Sequence, residues 1–337
     1  VPPLKFGILG AADIANRYTA DAICKTEGTT LSGVASRDFS RAEIMANKFG
    51  VKAYKNYDDL ISAKEIDAIY IPLPIGAHEA WAVKSLEAGK HVWCEKSLAG
   101  SLKQVGRVVA MARKNKLVLV ENFMCEHHSQ NLFIKEKIVN GEIGKIHSSS
   151  LSFGFPPFAE DNLKYNRELD GGALNDAGAY CLDMMSYYLP SSPRALWANF
   201  LNSDKSVDVG GSVNVLLENG TVSNLIFGFM HDYKNEASFW GESGAIFVDR
   251  CFSIPPERKP HVTLTRNTKT TTYDLAPCNH FQKQLENFCQ LVKSGKTDSV
   301  LNKILRQAVL MEAARISSRE KRIVQLDEFP EWKSLEC

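Results

Sequence analysis

The chain lacks a surplus of charge of either sign. Its 40 Lys and Arg against 39 Asp and Glu leave a formal net charge of +1. That removes the electrostatic argument for a nucleic acid or an anionic membrane surface as partner. It also lacks long hydrophobic runs: none approaches the ~20 apolar residues that cross a bilayer. No charged-then-apolar signal pattern precedes the first strand. The eight cysteines, Cys24, Cys94, Cys125, Cys181, Cys251, Cys278, Cys289 and Cys337, form no Cys-x-x-Cys pair and none stands at zinc-ligand spacing with a histidine. They read as reduced core residues, so a cytoplasmic protein with no metal site is expected. Internal repeats, low-complexity tracts and long linkers are absent too. What remains is 337 residues, 44% hydrophobic and 23% charged, enough for about two soluble domains.

The first part alternates short apolar runs with helical stretches. Phe6-Gly7-Ile8-Leu9, Thr30 to Ser36, Ile66 to Ile71, His91 to Glu95 and Leu117 to Val120 read as strands. Helices are expected at Asp13–Thr26, Ser40–Phe49, Asp58–Ala63, Gly76–Ala88 and Leu102–Lys114. This alternation implies βαβ units and a parallel sheet covered on both faces. After a further helix at Ser129–Asn140 the texture changes. From Ile146 to about Thr272 apolar and polar residues alternate, and Asn219-Gly220 marks a hairpin. One helix interrupts this stretch, from Ala173 to about Leu189. Helices return at His280–Ser294 and Leu301–Arg319. The fold class is therefore α/β: a Rossmann domain at 1–122, then a second α/β domain at 123–337 with a largely antiparallel sheet.

The first strand runs into Gly10-Ala11-Ala12-Asp13-Ile14-Ala15. A dinucleotide-binding turn needs small residues there, because the backbone must approach the pyrophosphate and the helix must pack close to its strand. The pyrophosphate then meets the free N–H groups of the helix start. Only the first glycine of the usual G-x-G-x-x-G is kept, but the strand–turn–helix placement supplies the context the motif requires. The second strand ends at Ser36-Arg37-Asp38. With Ser36 at the usual acidic position, no carboxylate repels a 2′-phosphate, and Arg37 can pair with it. The expected cofactor is NADP(H). A one-residue slip would put Asp38 there and restore an acid.

Strand His91–Glu95 ends in Glu95-Lys96, where open α/β sheets bind ligands. A second cluster is Asp170-Gly171-Gly172-Ala173-Leu174-Asn175-Asp176-Ala177-Gly178-Ala179-Tyr180, with Asp176 and Tyr180 four apart on one helix face. An ordinary amphipathic helix with a half-buried Tyr180 is the alternative reading. Lys164, Tyr165 and Arg167 precede the glycine pair and could meet a diphosphate, or form an exposed loop. The adjacent His127 and His128 cannot both face one ligand on a strand.

The Gly10–Ala15 turn, Pro72-Leu73-Pro74 with His78, Glu95-Lys96, and Gly171-Gly172-Ala173-Leu174-x-Asp176-x-Gly178-x-Tyr180 together resemble the Gfo/Idh/MocA oxidoreductases along nearly the whole chain. The resemblance implies an open, mostly antiparallel sheet in the second domain. It implies a cofactor site at Gly10, Ala11, Ala12, Asp13, Ile14, Ser36, Arg37, Pro72, Leu73, His78, Glu95 and Lys96. It also implies catalytic roles for Lys96, Asp176 and Tyr180. Many members carry histidine where Tyr180 stands. Tyrosine belongs to the branch resembling glucose–fructose oxidoreductase, dimeric dihydrodiol dehydrogenase and the nucleotide-sugar 3-ketoreductases. Glu121 to Gln130 and Phe153-Gly154-Phe155-Pro156-Pro157 pull toward the last group, which adds Asn122, His128 and Gln130 to Lys164, Tyr165, Asp176 and Tyr180 as substrate residues. Ser97 replaces the family's proline after the lysine. A homodimer or homotetramer paired through the open sheet is implied as well.

The expected chemistry is hydride transfer between NADP(H) and a sugar carbonyl, with Tyr180 as proton donor and Lys96 easing that donation. Asp176 would orient Lys96 or a sugar hydroxyl. A nucleoside-diphosphate sugar is the leading substrate. Free sugars or trans-dihydrodiols are the second, and a dinucleotide sensor without catalysis is the reading of a different class.

Overall fold

The structure, a computed structural model, describes residues 2–202 and 206–335; Cys337 lies outside them. Two compact units divide at Asn122/Phe123. The first holds six parallel strands: β1 (Leu4–Leu9), β2 (Thr29–Ala35), β3 (Lys52–Tyr54), β4 (Ala68–Ile71), β5 (His91–Glu95) and β6 (Leu119–Asn122), in the order β3-β2-β1-β4-β5-β6. That is the doubly wound order whose switch point, between β1 and β4, creates a ligand crevice. Its strands are apolar on both faces because helices cover both: Phe6, Ile8, Val34, Ile69, Tyr70 and Trp93 are buried. β3 escapes sequence reading, since three residues show no periodicity.

The second of these units is not continuous in sequence. Phe281–Leu305 belongs to the first unit. Phe288 packs against Phe6 with ring centroids 5.5 Å apart, and Phe281 stacks on Tyr18 at 5.4 Å. The Arg113 guanidinium donates to Asn302 Oδ1 at 2.5 Å. An amphipathic helix declares that it has a buried face, not which sheet it covers.

The second unit, Phe123–His280 with Arg306–Cys337, holds a nine-stranded sheet. Its strands are β7 (Ile146–Gly154), β8 (Pro193–Asn202), β9 (Asp208–Leu217), β10 (Val222–Gly228), β11 (Lys234–Gly241), β12 (Gly244–Val248), β13 (His261–Arg266), β14 (Lys269–Asp274) and β15 (Val324–Gln325). They run in the order β14-β13-β12-β11-β7-β10-β9-β8-β15, and only β7 and β10 pair in parallel. The Asn219-Gly220 turn joins β9 to β10, with Gly220 at φ +86°.

One face of this sheet is packed. The helix that follows Gly172 lies close on it: a Cβ on Gly178 would stand 3.1 Å from the Phe227 ring, and Tyr188 meets Phe239 at 4.8 Å. The other face alternates out. Trp197, Asn214, Asn224, Ser150, Ser238 and Phe247 form one continuous row across six strands, with no charged side chain in it. Among the described residues no helix is long and apolar enough to cross a membrane.

Candidate active site

In the first unit, β1 delivers the chain to Gly10, whose N–H donates to Ala35 O at 2.7 Å. Gly10 sits at φ +116°, and a Cβ there would lie 2.8 Å from Leu73 Cδ2. Glycine is thus required twice, by conformation and by the approach of the Pro72-Leu73 turn. Ala11, Ala12, Asp13 and Ile14 lead into a helix that opens with a five-residue π-turn, Ala15–Thr19. The N–H groups of a helix start are natural partners for an anion. This small-residue cradle fits a dinucleotide pyrophosphate.

At the end of β2, Ser36 is buried. Asp38 is committed elsewhere: it caps the helix Phe39–Phe49, accepting from Ser40 N at 3.0 Å and Ser40 Oγ at 2.7 Å. The slip that would have restored an acid at the ribose position is therefore disfavoured. Arg41, which sequence reading missed, donates from Nη2 to Ala11 O at 2.7 Å. It places a second guanidinium beside the phosphate turn. The signal was available: Arg41 follows Arg37 by four residues across a helix start.

His78 is fully buried. Its Nδ1 lies 2.8 Å from Ser97 O and its Nε2 2.6 Å from Leu73 O. It ties the turn after β4 to the turn after β5. Burial pushes its pKa down to about 4. Glu95, at the end of β5, accepts from Tyr70 Oη at 2.6 Å and from Asn122 Nδ2 at 2.5 Å. Burial raises its pKa. Glu121 Oε1 accepts from Leu98 N at 2.8 Å. Glu95, Asn122, Glu121 and His78 thus hold the Lys96-Ser97 turn from below, and the Lys96–Ser97 peptide is cis. Asn122 is fully buried and spends its amide on Glu95.

In the second unit, the glycine pair has a packing reason. A Cβ on Gly171 would lie 2.5 Å from Lys164 O, and one on Gly172, at φ +116°, would lie 2.4 Å from Asp208 Oδ1. Beyond them the helix widens into a π-turn, Leu174–Gly178, and continues as α, Ala179–Tyr188. Asp176 forms an ion pair with the Lys164 ammonium. That ammonium also stands over the Phe155, Phe158 and Phe229 rings, 5.4, 4.5 and 5.6 Å from their centroids. A half-buried cation held by a carboxylate and three ring faces is well placed energetically. Tyr165 is buried, and its hydroxyl accepts from Phe158 N at 3.1 Å.

Tyr180 is 6% exposed. Its ring meets Phe123, Phe153 and Phe252 at 5.5, 5.4 and 6.1 Å, and its hydroxyl points at Met124 Sδ, 3.6 Å away. A phenol in an apolar, water-poor pocket suits a proton donor. His128 is a buried helix cap whose Nδ1 accepts from Gln130 N at 3.1 Å, and Gln130 donates to Arg250 O at 2.9 Å. Both support the local fold here. The His128 ring stands edge-on to His280 at 5.6 Å, and burial lowers both pKa values, to about 4 and about 3.

Comparison with known proteins places this geometry. An oxidoreductase family described by its NAD-binding Rossmann fold matches residues 4–123, and the GFO/IDH/MocA C-terminal domain matches 132–247. The chain belongs to the Gfo/Idh/MocA oxidoreductases. It is 34% identical over 319 residues to dTDP-3,4-didehydro-2,6-dideoxy-alpha-D-glucose 3-reductase of Saccharopolyspora spinosa, covering 92% of this chain and 96% of that protein. A 3-ketoreductase from Actinomadura kijaniata, solved with NADP and TDP-benzene, superposes with a TM-score of 0.90 at 33% identity, covering 94% of this chain and 98% of that one. Mouse trans-1,2-dihydrobenzene-1,2-diol dehydrogenase is 33% identical over 258 residues, 74% of this chain and 76% of that protein. The resemblance read from motifs is the family found, and the two-domain α/β fold is the one expected.

Proposed function

We propose that this oxidoreductase is an NADP(H)-dependent ketoreductase of nucleotide-linked deoxy-sugars, reducing the 3-carbonyl of a dTDP-sugar. The observation that carries this is the 34% identity to a dTDP-sugar 3-reductase over 92% of the chain. The site chemistry agrees with it. Gly10 to Ile14 would hold the pyrophosphate, and Ser36, Arg37 and Arg41 would meet the 2′-phosphate. Pro72, Leu73 and Lys96 would flank the nicotinamide half. The bound dinucleotide supplies the hydride. As charge develops on the carbonyl oxygen, Tyr180 gives it the phenolic proton and Lys96 provides a positive field. Asp176 and Lys164 act as a pair toward the substrate. Asn122 would support Lys96 through Glu95, and His128, Gln130 and Tyr165 would support the substrate side within the second unit. The reading requires Lys96 and Tyr180 to address the same carbonyl.

A thermal-shift series tests the substrate class. dTDP at a hundred times its Kd should add about 2.7 kcal/mol of stability, with UDP and CDP adding less. No stabilisation by any nucleoside diphosphate would favour the second reading, a dehydrogenase of free sugars or dihydrodiols, which the mouse relative supports. NADPH oxidation with a dTDP-3-ketosugar would exclude the sensor reading.

The same reading includes self-association. Trp240, Ile226 and Leu216 on the open sheet face are 70%, 42% and 39% exposed, in a neighbourhood of serines and asparagines. A broad sheet face with these exposed apolar side chains among small polar ones, and the Lys234–Glu236 ion pair at one end of β11, favours a second copy of itself. Light scattering should give the mass of two or four chains. A monomer at micromolar concentration would sink this part. Burial of the thiols Cys94, Cys125, Cys181 and Cys251 in the core supports residence in the reducing cytoplasm.

A further inference from the structure

The helix carrying Asp176 and Tyr180 does not begin as an ordinary α-helix. After one α-type bond, from Asp176 N to Gly172 O at 3.1 Å, it widens into a π-turn, Leu174–Gly178, closed by Ala179 N–H on Leu174 O. An extra residue in one turn rotates everything after it by about 100° relative to an α-helical start, given 3.6 residues per turn. The aim of Tyr180 therefore depends on this turn being kept.

Three groups of the second unit hold it. Asp208, the first residue of β9, accepts from Leu174 N at 2.6 Å and also from Ala173 N. Its carboxylate occupies the place where a Cβ on residue 172 would be, which is why the chain needs glycine there. Arg315 donates to Asn175 Oδ1 at 2.6 Å, while Asn175 Nδ2 donates to Asp170 O at 2.9 Å. Gln307 Nε2 donates to Ala179 O at 2.8 Å. Of the three, Asp208 alone binds the free N–H groups where the helix begins. A carboxylate there also opposes the positive end of the helix dipole.

We propose that Asp208 is a positioning residue for the reaction: it fixes the π-turn, and through it the direction in which Tyr180 presents its proton. This rests on Tyr180 being the proton donor. Asp208 touches neither substrate nor cofactor in this scheme. Asn at this position keeps the volume and one acceptor but turns an N–H₂ group toward one of the two backbone donors.

The test is a double-mutant cycle of Asp208→Asn and Tyr180→Phe with a dTDP-3-ketosugar and NADPH. Asp208→Asn alone should lower kcat about tenfold, the scale of a small misplacement of a reacting group, with KM for both substrates within twofold. In the Tyr180→Phe background the same change should lower kcat no further, because no aimed proton remains to misdirect. An equal tenfold loss in both backgrounds would mean a general structural role and would overturn the proposal, as would wild-type kcat in Asp208→Asn. Full turnover by Tyr180→Phe itself would overturn both the donor role and this inference. Asp208→Ala, which leaves the N–H groups bare, should lose more kcat than Asp208→Asn. Should Asp208→Ala fail to fold, the Asn cycle decides alone.

Discussion

Tyr180→Phe should lower kcat by about 10²–10⁴, the usual yield of a positioned general acid, while leaving dTDP affinity within about twofold. The two halves of this expectation come from different atoms. The ring packs edge-on against Phe123 and Phe153 and tilts on Phe252. Phenylalanine keeps all of that area, so the pocket and its apolar walls survive. The hydroxyl's contact with Met124 Sδ is long, at 3.6 Å. With the ring's packing kept, the variant should still fold, which circular dichroism checks. What is lost is the proton at the carbonyl oxygen. Water is a poor substitute in a pocket walled by three phenylalanine neighbours. Steady-state kinetics with saturating NADPH, together with dTDP titration calorimetry, reads both halves. Wild-type kcat in the variant would remove Tyr180 from the chemistry. A large loss of dTDP binding would show that the hydroxyl serves recognition instead.

Acid should destabilise the fold steeply below pH 6.5. His78, His128 and His280 are each buried, and burial lowers their pKa values to about 4, about 4 and about 3. In the unfolded chain each protonates near pH ~6.5. Unfolding between these values therefore takes up protons. Stability is fully present above the unfolded value and is lost as pH falls toward about 4. Each histidine contributes a slope of about 1.4 kcal/mol per pH unit, so the three together give at most about 4 kcal/mol per pH unit. Glu95 and Asp208 act in the opposite sense, since burial raises their carboxyls and the folded chain takes those protons first. Urea midpoints should be flat from pH 8 to 7 and fall at each step from 6.5 to 5. A midpoint that does not move between 6.5 and 5 would show that these rings are hydrated or already charged.

Much of the fold was legible because its signals are local. Strand–turn–helix order around Gly10, the small residues there, and the change from βα alternation to period-two patterning after residue 140 are all short-range features. They needed no knowledge of contacts. Glu95-Lys96 and Asp176 with Tyr180 stand out in the sequence for a related reason, since strand ends and helix starts are common places for functional polar groups. Long-range commitments were not legible. Asp38 could be a ribose ligand or a cap until its bonds to Ser40 were seen. Asp176 was expected to orient Lys96 or a sugar hydroxyl, and it is paired with Lys164. Asn122 was expected at the substrate, and its amide goes to Glu95. A sequence gives each polar side chain a choice of partners; only packing removes the others.

The sequence by itself determined that this chain folds as a Rossmann domain followed by an open-sheet domain, and it put forward Lys96 and Tyr180 as candidates for the chemistry. Hydrophobic period and turn chemistry act over a few residues and survive without a structure. The tertiary structure decided that the segment Phe281–Leu305, most of the helix His280–Ser294 and the start of the helix Asp298–Glu320, belongs with the first sheet. It also decided why both glycines before Tyr180 must lack side chains, and that Asp208, 36 residues after Gly172, occupies the space that glycine leaves. Those are matters of volume and of shared hydrogen-bond donors between distant segments, and no local pattern encodes them.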